Sequence, residues 1–220
     1  TLTRVNGIFE KELAFTLQLV ADNINIIFIE SDNFTNSDDS KLLDEAQPVI
    51  NANIGFENYD IGHVLSTGDF GGVAYLESVC GGDKAKGITG SSRPVGDPFD
   101  IDFVIHELGH QFGAYHTFNN SCEERISFSA SYEPGSGSTI MAYAGICNTN
   151  VQGASDAYFA YVNIRDIMEN VKFGVSQPTL PMTNLTNNPP TASAGRDYVI
   201  PKSTAFMLVG QGTDPESDPL

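Results

Sequence analysis

Three histidines stand at fixed offsets in one segment of the chain, HELGHQFGAYH at residues 106–116. His106 and His110 are one helical turn apart, so a helix would present both imidazoles to a single metal ion. His116 follows Gly113, and glycine accepts the left-handed backbone that a sharp exit from the helix needs. The spacing therefore predicts a zinc ion held by three histidines.

Glu107 stands beside the first of these histidines, where it can contact a water molecule without binding the metal. Three protein ligands leave the fourth coordination position open for that water, which is typical of catalytic zinc sites. A carboxylate in this place can take the proton of a zinc-activated water and pass it to a leaving group. The alternative is a core helix with incidental histidines, but the segment fits H-E-x-x-H-x-x-G-x-x-H at every fixed position.

A second segment, STIMAYAG at residues 138–145, completes a resemblance to the metzincin metallopeptidases. Within that clan the chain is most similar to the reprolysin-like (adamalysin-type) bacterial secreted proteases. The resemblance implies that Met141 forms an apolar floor beneath the three imidazoles and that Gly113 shapes the turn there. Taken alone, Met141 would be an ordinary core residue.

Tyr143 follows this methionine by two residues. In astacin-like and serralysin-like metzincins, a tyrosine at this offset reaches the metal when no substrate is bound and then steadies the transition state. Adamalysins generally lack this tyrosine. The resemblance implies a catalytic role for Tyr143, and the alternative is a side chain that packs beside the site and makes only a hydrogen bond.

An upstream segment, GGVAYLESVC at residues 71–80, resembles the edge strand that precedes the active-site helix in adamalysins. In that family the edge strand pairs with extended substrate through main-chain hydrogen bonds. The implied substrate-binding residues are Val73, Ala74, Tyr75 and Leu76. A purely structural strand is the alternative.

Two features depart from the adamalysin pattern. Thr117 follows the third histidine, where adamalysins usually carry Asp, and His-Thr-Phe with a nearby cysteine is closer to the pappalysin pattern. A pappalysin-like subfamily is therefore the second interpretation. The chain also opens partway into the expected domain, near residues 3–12, so the N-terminal strand is expected to be missing. The resemblance covers about residues 3–173.

The composition limits the classes of partner. With 11 basic and 28 acidic residues the net charge is −17, which leaves too little Lys and Arg to neutralise nucleic acid phosphates. The acidic excess suits a soluble, secreted protein and would also suit bound Ca²⁺ in addition to Zn²⁺. No apolar run is long enough to span a membrane, and a monomer acting on protein or peptide substrates is expected.

The three cysteines predict one disulfide. Cys122 and Cys147 flank the segment that follows the histidine motif and are the preferred pair. Cys80 then lies outside the disulfide and is expected to be buried.

Local patterns predict the elements that position these residues. The helix at residues 98–112 has an apolar face at helical spacing, with Asp97 as its cap, and another helix begins near residue 163 and ends at Gly174. His63 lies outside the motif and is expected to satisfy a hydrogen bond. A further helix is predicted at 37–53 and strands at 15–19, 23–30, 59–65 and 72–77.

The predicted fold is α+β, a metzincin-type catalytic domain with a twisted mixed sheet, an active-site helix, a methionine turn and a C-terminal helix at residues 1–175. Residues 176–190, rich in Pro, Asn and Thr, are expected to form a linker. Residues 191–220 resemble the start of an immunoglobulin-like or PKD-like β-sandwich, which is too short to form alone.

These observations together predict a secreted zinc metalloendopeptidase with Glu107 as general base and acid. The first alternative is a catalytically inactive zinc-containing module that binds protein or glycan. The second is an adhesion fragment in which the C-terminal sandwich is the functional part.

Overall fold

The computed structural model describes residues 1–119, 122, 125–174, 181–184 and 186–219. Contacts between residues divide the chain into two units, Thr1–Leu180 and Pro181–Leu220. The first unit contains helices and a mixed sheet, so the α+β class is confirmed. The predicted domain limits of 1–175, 176–190 and 191–220 stay predictions, and the linker lies partly outside the described residues.

The sheet of the first unit has three strands, β1 (Val64–Ser66), β2 (Gly71–Ala74) and β3 (Gly87–Gly90), in the order β1-β3-β2. Strand β3 runs parallel to β1 and antiparallel to β2, with Ile88 opposite both Val64 and Val73. The sequence pattern missed β3 because the strand is GITG, in which Ile88 is the sole large apolar residue. Its glycines are required by packing, since a Cβ at Gly87 would meet the side chains of Gln111 and His63.

Two long helices precede the sheet. Helix α1 (Leu2–Leu13) buries one apolar face and ends at Ala14 in the left-handed conformation. Helix α2 (Asp39–Ile54) confirms the helix predicted at 37–53, and the carboxylate of Asp38 caps it by accepting from Lys41 N at 3.0 Å. The buried residues of α2 recur at helical spacing and are Leu42, Leu43, Ala46, Ile50 and Ile54.

The strands predicted at 15–19 and 23–30 are wrong. Leu17 pairs its N–H and its carbonyl with the side-chain amide of Asn6, both at 2.9 Å, so a side chain takes the place of a neighbouring strand. The following residues Asn23–Ile26 form a 3₁₀ helix, and Ile29 is exposed. Apolar alternation needs a pairing partner to become a strand, and these local hydrogen bonds satisfy the backbone without one.

The active-site helix is continuous but changes its winding. It comprises a first turn α3 (Asp97–Phe99), a π-helical stretch (Asp100–Ile105) and α4 (His106–Phe112). Its extent confirms the prediction for 98–112, whereas Asp97 is not the cap. The carboxylate of Asp97 instead accepts two hydrogen bonds from Arg4 on α1, at 2.8 and 3.1 Å, and Gly96 occupies the cap position.

Helix α5 (Tyr161–Phe173) ends at Gly174 as predicted and packs beside α4. Asn163 and Asn170, both buried, donate side-chain hydrogen bonds to the carbonyls of Tyr115 and Phe112. The carbonyl at the C-terminal end of α4 and one in the segment that follows are thereby bound, which holds the exit from this helix in place.

The second unit contains a two-stranded antiparallel sheet, β4 (Thr191–Ser193) with β5 (Gln211–Thr213). Both strands are exposed, and the hydroxyls of Thr191 and Thr213 are hydrogen bonded at 2.7 Å. Two strands are too few for a sandwich, so the immunoglobulin-like assignment stays a prediction. Among the described residues, no helix has the length and apolar character required to cross a membrane.

Candidate active site

The three motif histidines converge. Nε2 of His116 lies 3.2 Å from Nε2 of His106 and 3.0 Å from Nε2 of His110. His106 and His110 project from adjacent turns of α4, and His116 comes from the segment that leaves this helix. The three residues form a group with metal-ligand geometry, because one ligand atom from each lies within 4.8 Å of the others.

The opposite ring nitrogens identify the tautomers of these histidines. Nδ1 of His106 faces the carbonyl of Ile140 at 2.7 Å, Nδ1 of His110 faces that of Ala114 at 2.7 Å, and Nδ1 of His116 faces that of Arg125 at 2.8 Å. A carbonyl only accepts, so each Nδ1 carries a proton and donates it. Each Nε2 therefore directs a lone pair at the common point. Three lone pairs this close repel one another unless a cation lies between them, so the residues fit a bound zinc ion.

Burial keeps these imidazoles neutral. It lowers the pKa of His106 well below 6.5, and the neighbouring His110 and His116 lower it further. Burial, followed by the charge of His116, lowers the pKa of His110 to about 3, and burial also lowers the pKa of His116. Metal binding requires unprotonated nitrogen, so the site is prepared for a cation at neutral pH.

Gly113 ends α4 in the left-handed region, with φ of 111°. A side chain would be strained at this φ, so glycine is required for the sharp exit that returns the chain to His116. The segment after β2 holds the same helix end, because Glu77 N donates to the carbonyl of His110 and Val79 N to that of Gln111, both at 3.1 Å.

The carboxyl of Glu107 is buried at the side of the histidine cluster, and its residue is 6% exposed. Burial raises its pKa to about 8, although the charge of Arg125 lowers it. The side chain packs directly against Gly72 of β2, where an added Cβ would lie 2.6 Å from Cδ of Glu107. The edge strand and the carboxyl can be neighbours only because residue 72 lacks a side chain.

Met141 is completely buried and packs against α4 between the two histidines of that helix. A Cβ at Gly109 would lie 2.5 Å from the sulfur of Met141, so the methionine occupies the space that glycine leaves free. The carbonyl of Met141 accepts from Thr117 N at 3.1 Å, which joins the methionine turn to the residue after the third histidine.

Tyr143 belongs to an aromatic cluster around the third histidine. Its ring centroid lies 4.6 Å from that of His116, 4.6 Å from that of Phe118 and 5.6 Å from that of His106. Burial raises the pKa of Tyr143, so its phenol stays protonated at neutral pH and can donate a hydrogen bond.

A cleft of about 640 Å³ opens beside His106 and Glu107. Of the four predicted edge-strand residues, Val73 and Ala74 lie in β2, whereas Tyr75 and Leu76 follow the end of the strand and are largely exposed. The structure thus places the first part of this segment at the cleft. The cleft lining includes Gly71, Gly72, Val73, His106, Glu107, Arg125 and Tyr143.

Three residues that contribute to the site were missed. Arg125 lines the cleft and binds His116 through its carbonyl, Gln111 anchors α4 to the sheet, and Glu133 joins the loops below the histidines. Arg125 and Glu133 lie in irregular segments without periodicity or a motif. Gln111 is a polar residue on the buried side of a helix, and a polar residue at such a position indicates a buried hydrogen bond.

Cys122 and Cys147 form a disulfide with a Cα–Cα distance of 5.6 Å, which is the expected pair. Cys80 is partly rather than fully buried, and its thiol donates to the carboxylate of Asp60 at 3.9 Å. The expected burial of Cys80 is therefore corrected, because the surface carboxylate is its hydrogen-bond partner.

Comparison with known families gives the same assignment. The family described as Metallo-peptidase family M12B Reprolysin-like matches residues 1–117, which include the whole histidine motif. No curated protein matches the chain. The pappalysin-like alternative stays a prediction. The match over more than half of the 220 residues, together with the three-histidine cluster, shows that the chain belongs to the reprolysin-like M12B metallopeptidases.

Proposed function

We propose that the protein is a secreted endopeptidase that uses zinc to hydrolyse peptide bonds in proteins. The observation that carries this proposal is the convergence of three unprotonated imidazole nitrogens beside the buried carboxyl of Glu107, in a cleft bordered by an outer strand of the sheet. Membership of a metallopeptidase family supports the same reaction class.

His106, His110 and His116 would hold the zinc through their Nε2 atoms. When bound, zinc supplies a Lewis acid that lowers the pKa of a water molecule and polarises a peptide carbonyl. The three Nδ1–carbonyl hydrogen bonds fix the ring orientations and make the imidazoles better electron donors.

Glu107 acts as general base and then as general acid. Burial raises the pKa of this carboxyl, which makes its carboxylate form a stronger base than that of an exposed glutamate. A group with a pKa near neutrality can accept a proton from the attacking water and return it to the departing amine within one turnover.

Strand β2 binds extended substrate. One of its edges pairs with β3, and its residues Gly71, Gly72 and Val73 line the cleft beside Glu107. A peptide added to this strand would make main-chain hydrogen bonds and bring a scissile bond past the carboxyl. Tyr75 and Leu76 lie beyond the strand and would serve the ends of the substrate.

Tyr143, Met141 and Gly113 support the chemistry. The phenol of Tyr143 faces the cleft as a donor that can steady a developing oxyanion. Packing of its ring on Phe118 is the support for the alternative, a structural tyrosine. Met141 supplies the apolar floor of the site, and Gly113 the turn that returns His116.

Secretion is supported by the disulfide between Cys122 and Cys147, since disulfides persist in oxidising compartments. Calcium binding stays a prediction that rests on the acidic composition.

Glu107→Gln tests this function because it preserves the volume of the side chain and removes the base. Cleavage of a fluorogenic peptide mixture should fall by about 10²-fold or more, while zinc content stays at that of the wild type. A chelator should abolish wild-type cleavage and added zinc should restore it. Undiminished cleavage by the variant would contradict the role of Glu107. A wild-type protein that holds zinc and cleaves no peptide would favour the inactive binding module.

A further inference from the structure

The carboxylate of Glu133 collects hydrogen bonds from two separate loops. Its Oε2 accepts from the hydroxyls of Thr117 and Thr139, both at 2.5 Å. Its Oε1 accepts from Ser138 N at 2.9 Å and Thr139 N at 3.1 Å. A further, longer bond comes from the Ser138 hydroxyl. The Glu133 residue is half-buried.

The two loops are the ones that complete the metal site. Thr117 is the residue after the third histidine, and Ser138 and Thr139 begin the methionine turn. The backbone repeats the connection, because Glu133 N donates to the carbonyl of Thr117 at 2.8 Å. Glu133 thus joins the segment that carries His116 to the turn that carries Met141.

The same turn orients the first histidine. Ile140, next to Thr139, accepts the hydrogen bond from Nδ1 of His106 at 2.7 Å. His106 is therefore hydrogen bonded to the methionine turn, which is hydrogen bonded to Glu133. Glu133 is in turn hydrogen bonded to Thr117, the residue after His116. The Nε2 atoms of these two histidines are 3.2 Å apart.

The negative charge of Glu133 strengthens its hydrogen bonds to the two loops. Burial raises its pKa, but the hydrogen bonds from Thr117, Thr139 and Ser138 outweigh burial, and the resulting pKa is below the usual value. An ionised carboxylate only accepts, so both threonine hydroxyls must donate to it, and hydrogen bonds to an ionised group are the stronger kind.

We propose that Glu133 is a positioning residue of the zinc site. It binds the segment that carries His116 to the methionine turn and thereby sets the distance between His106 and His116. The inference rests on the zinc site of the proposed function and requires no peptide cleavage. Its test therefore measures metal binding by the full chain.

Glu133→Gln removes the charge with little change in volume, and Glu45→Gln is the matched control. Glu45 accepts from Thr35 N at 2.6 Å and from the Thr35 hydroxyl at 2.7 Å, outside the loops around the histidines. We expect zinc affinity, measured by chelator competition, to fall about 10-fold in Glu133→Gln. The visible absorption of the cobalt-substituted protein should also change in position or intensity. Glu45→Gln should leave both readouts unchanged, even if its melting temperature falls.

Thr117→Val keeps the test decisive if Glu133→Gln does not fold. It removes the one hydroxyl that Thr117 donates to Glu133, so it should lower zinc affinity by a smaller factor than Glu133→Gln. Thr117→Ser keeps this hydroxyl and should have the wild-type zinc affinity. The inference would be overturned if Glu133→Gln had wild-type zinc affinity and an unchanged cobalt spectrum. If Glu133→Gln is unfolded, the same result in Thr117→Val would overturn it. A wild-type protein that binds no zinc would overturn both proposals, whereas one that binds zinc without cleaving peptides would overturn the proposed function alone.

Discussion

Gly72 shows how a single missing side chain shapes the site. The carboxyl of Glu107 occupies the space where a Cβ of residue 72 would stand, so the edge strand passes directly beside the proposed base. Main-chain groups of β2 and the carboxyl of Glu107 therefore lie close together, and under the proposed function they would act on the same peptide. The same logic applies at Gly109, whose missing side chain admits the sulfur of Met141.

Gly72→Ala should displace Glu107 and reduce kcat for peptide cleavage by about 10²-fold, with zinc content unchanged. Gly82→Ala is the matched control, since a Cβ at Gly82 would meet no atom within 4 Å. Steady-state kinetics and metal analysis of both variants check this expectation. If Gly72→Ala had the wild-type kcat, peptide cleavage would not depend on the observed position of the Glu107 carboxyl.

At the scale of elements, a buried polar network attaches the active-site helix to the sheet. Gln111 on α4 donates to the carbonyl of Gly62 at 3.0 Å, which leaves its amide oxygen to accept from Nδ1 of His63 at 2.8 Å. Nε2 of His63 is then unprotonated and accepts from the hydroxyl of Thr89 on β3 at 2.8 Å. The histidine outside the motif is thus a structural link between two elements.

This network predicts a pH dependence of stability. Burial lowers the pKa of His63 to about 4, although its hydrogen bond with Gln111 raises it, while an unfolded histidine has a pKa of about 6.5. Between these values the unfolded chain binds a proton that the folded chain does not. The contribution of His63 is therefore complete above pH 6.5 and is lost as the pH falls to about 4.

Chemical denaturation of the wild type and of His63→Asn at several pH values measures this effect. The difference in the free energy of unfolding should shrink below pH 6.5, with a slope of at most about 1.4 kcal/mol per pH unit. The ligand histidines titrate in both proteins and cancel in the difference. Parallel curves for the two proteins would mean that His63 does not become protonated on unfolding.

At the scale of the whole molecule, all the residues of the proposed site lie in the first unit, Thr1–Leu180. The core that supports them is also there, built from α1, the active-site helix and α5, with Phe9, Phe112 and Phe159 in edge-to-face contact. The second unit, Pro181–Leu220, has a sheet of its own.

A chain that ends at Gly174 should therefore retain the zinc affinity, the melting temperature of the first unit and the peptide cleavage rate of the full chain. Calorimetry, chelator competition and the fluorogenic assay measure these quantities on both lengths. A large loss of cleavage with zinc affinity intact would assign the second unit a part in substrate binding, contrary to this expectation.

The spacing of residues within single segments allowed part of the site to be predicted from the sequence. The positions of His106, His110 and Gly113 follow from the helical repeat, and the helices at 37–53 and 98–112 follow from their apolar faces. The pairing of Cys122 with Cys147 followed from their places on either side of one segment. In each case the deciding interaction joins residues close together in the sequence, or the residue type itself indicates the interaction.

The sequence alone predicted the three histidines, the neighbouring Glu107 and the helix that presents His106 and His110, because these residues lie in one continuous stretch of the chain. The tertiary structure decided that residues 15–30 contribute no strand, that GITG is the central strand, and that Glu133 joins Thr117 to the methionine turn. Thr117 and Glu133 are 16 residues apart, and His63 and Gln111 are 48 apart. Pairings over such distances depend on which segments fold against one another, and residue type in a single chain does not specify that choice.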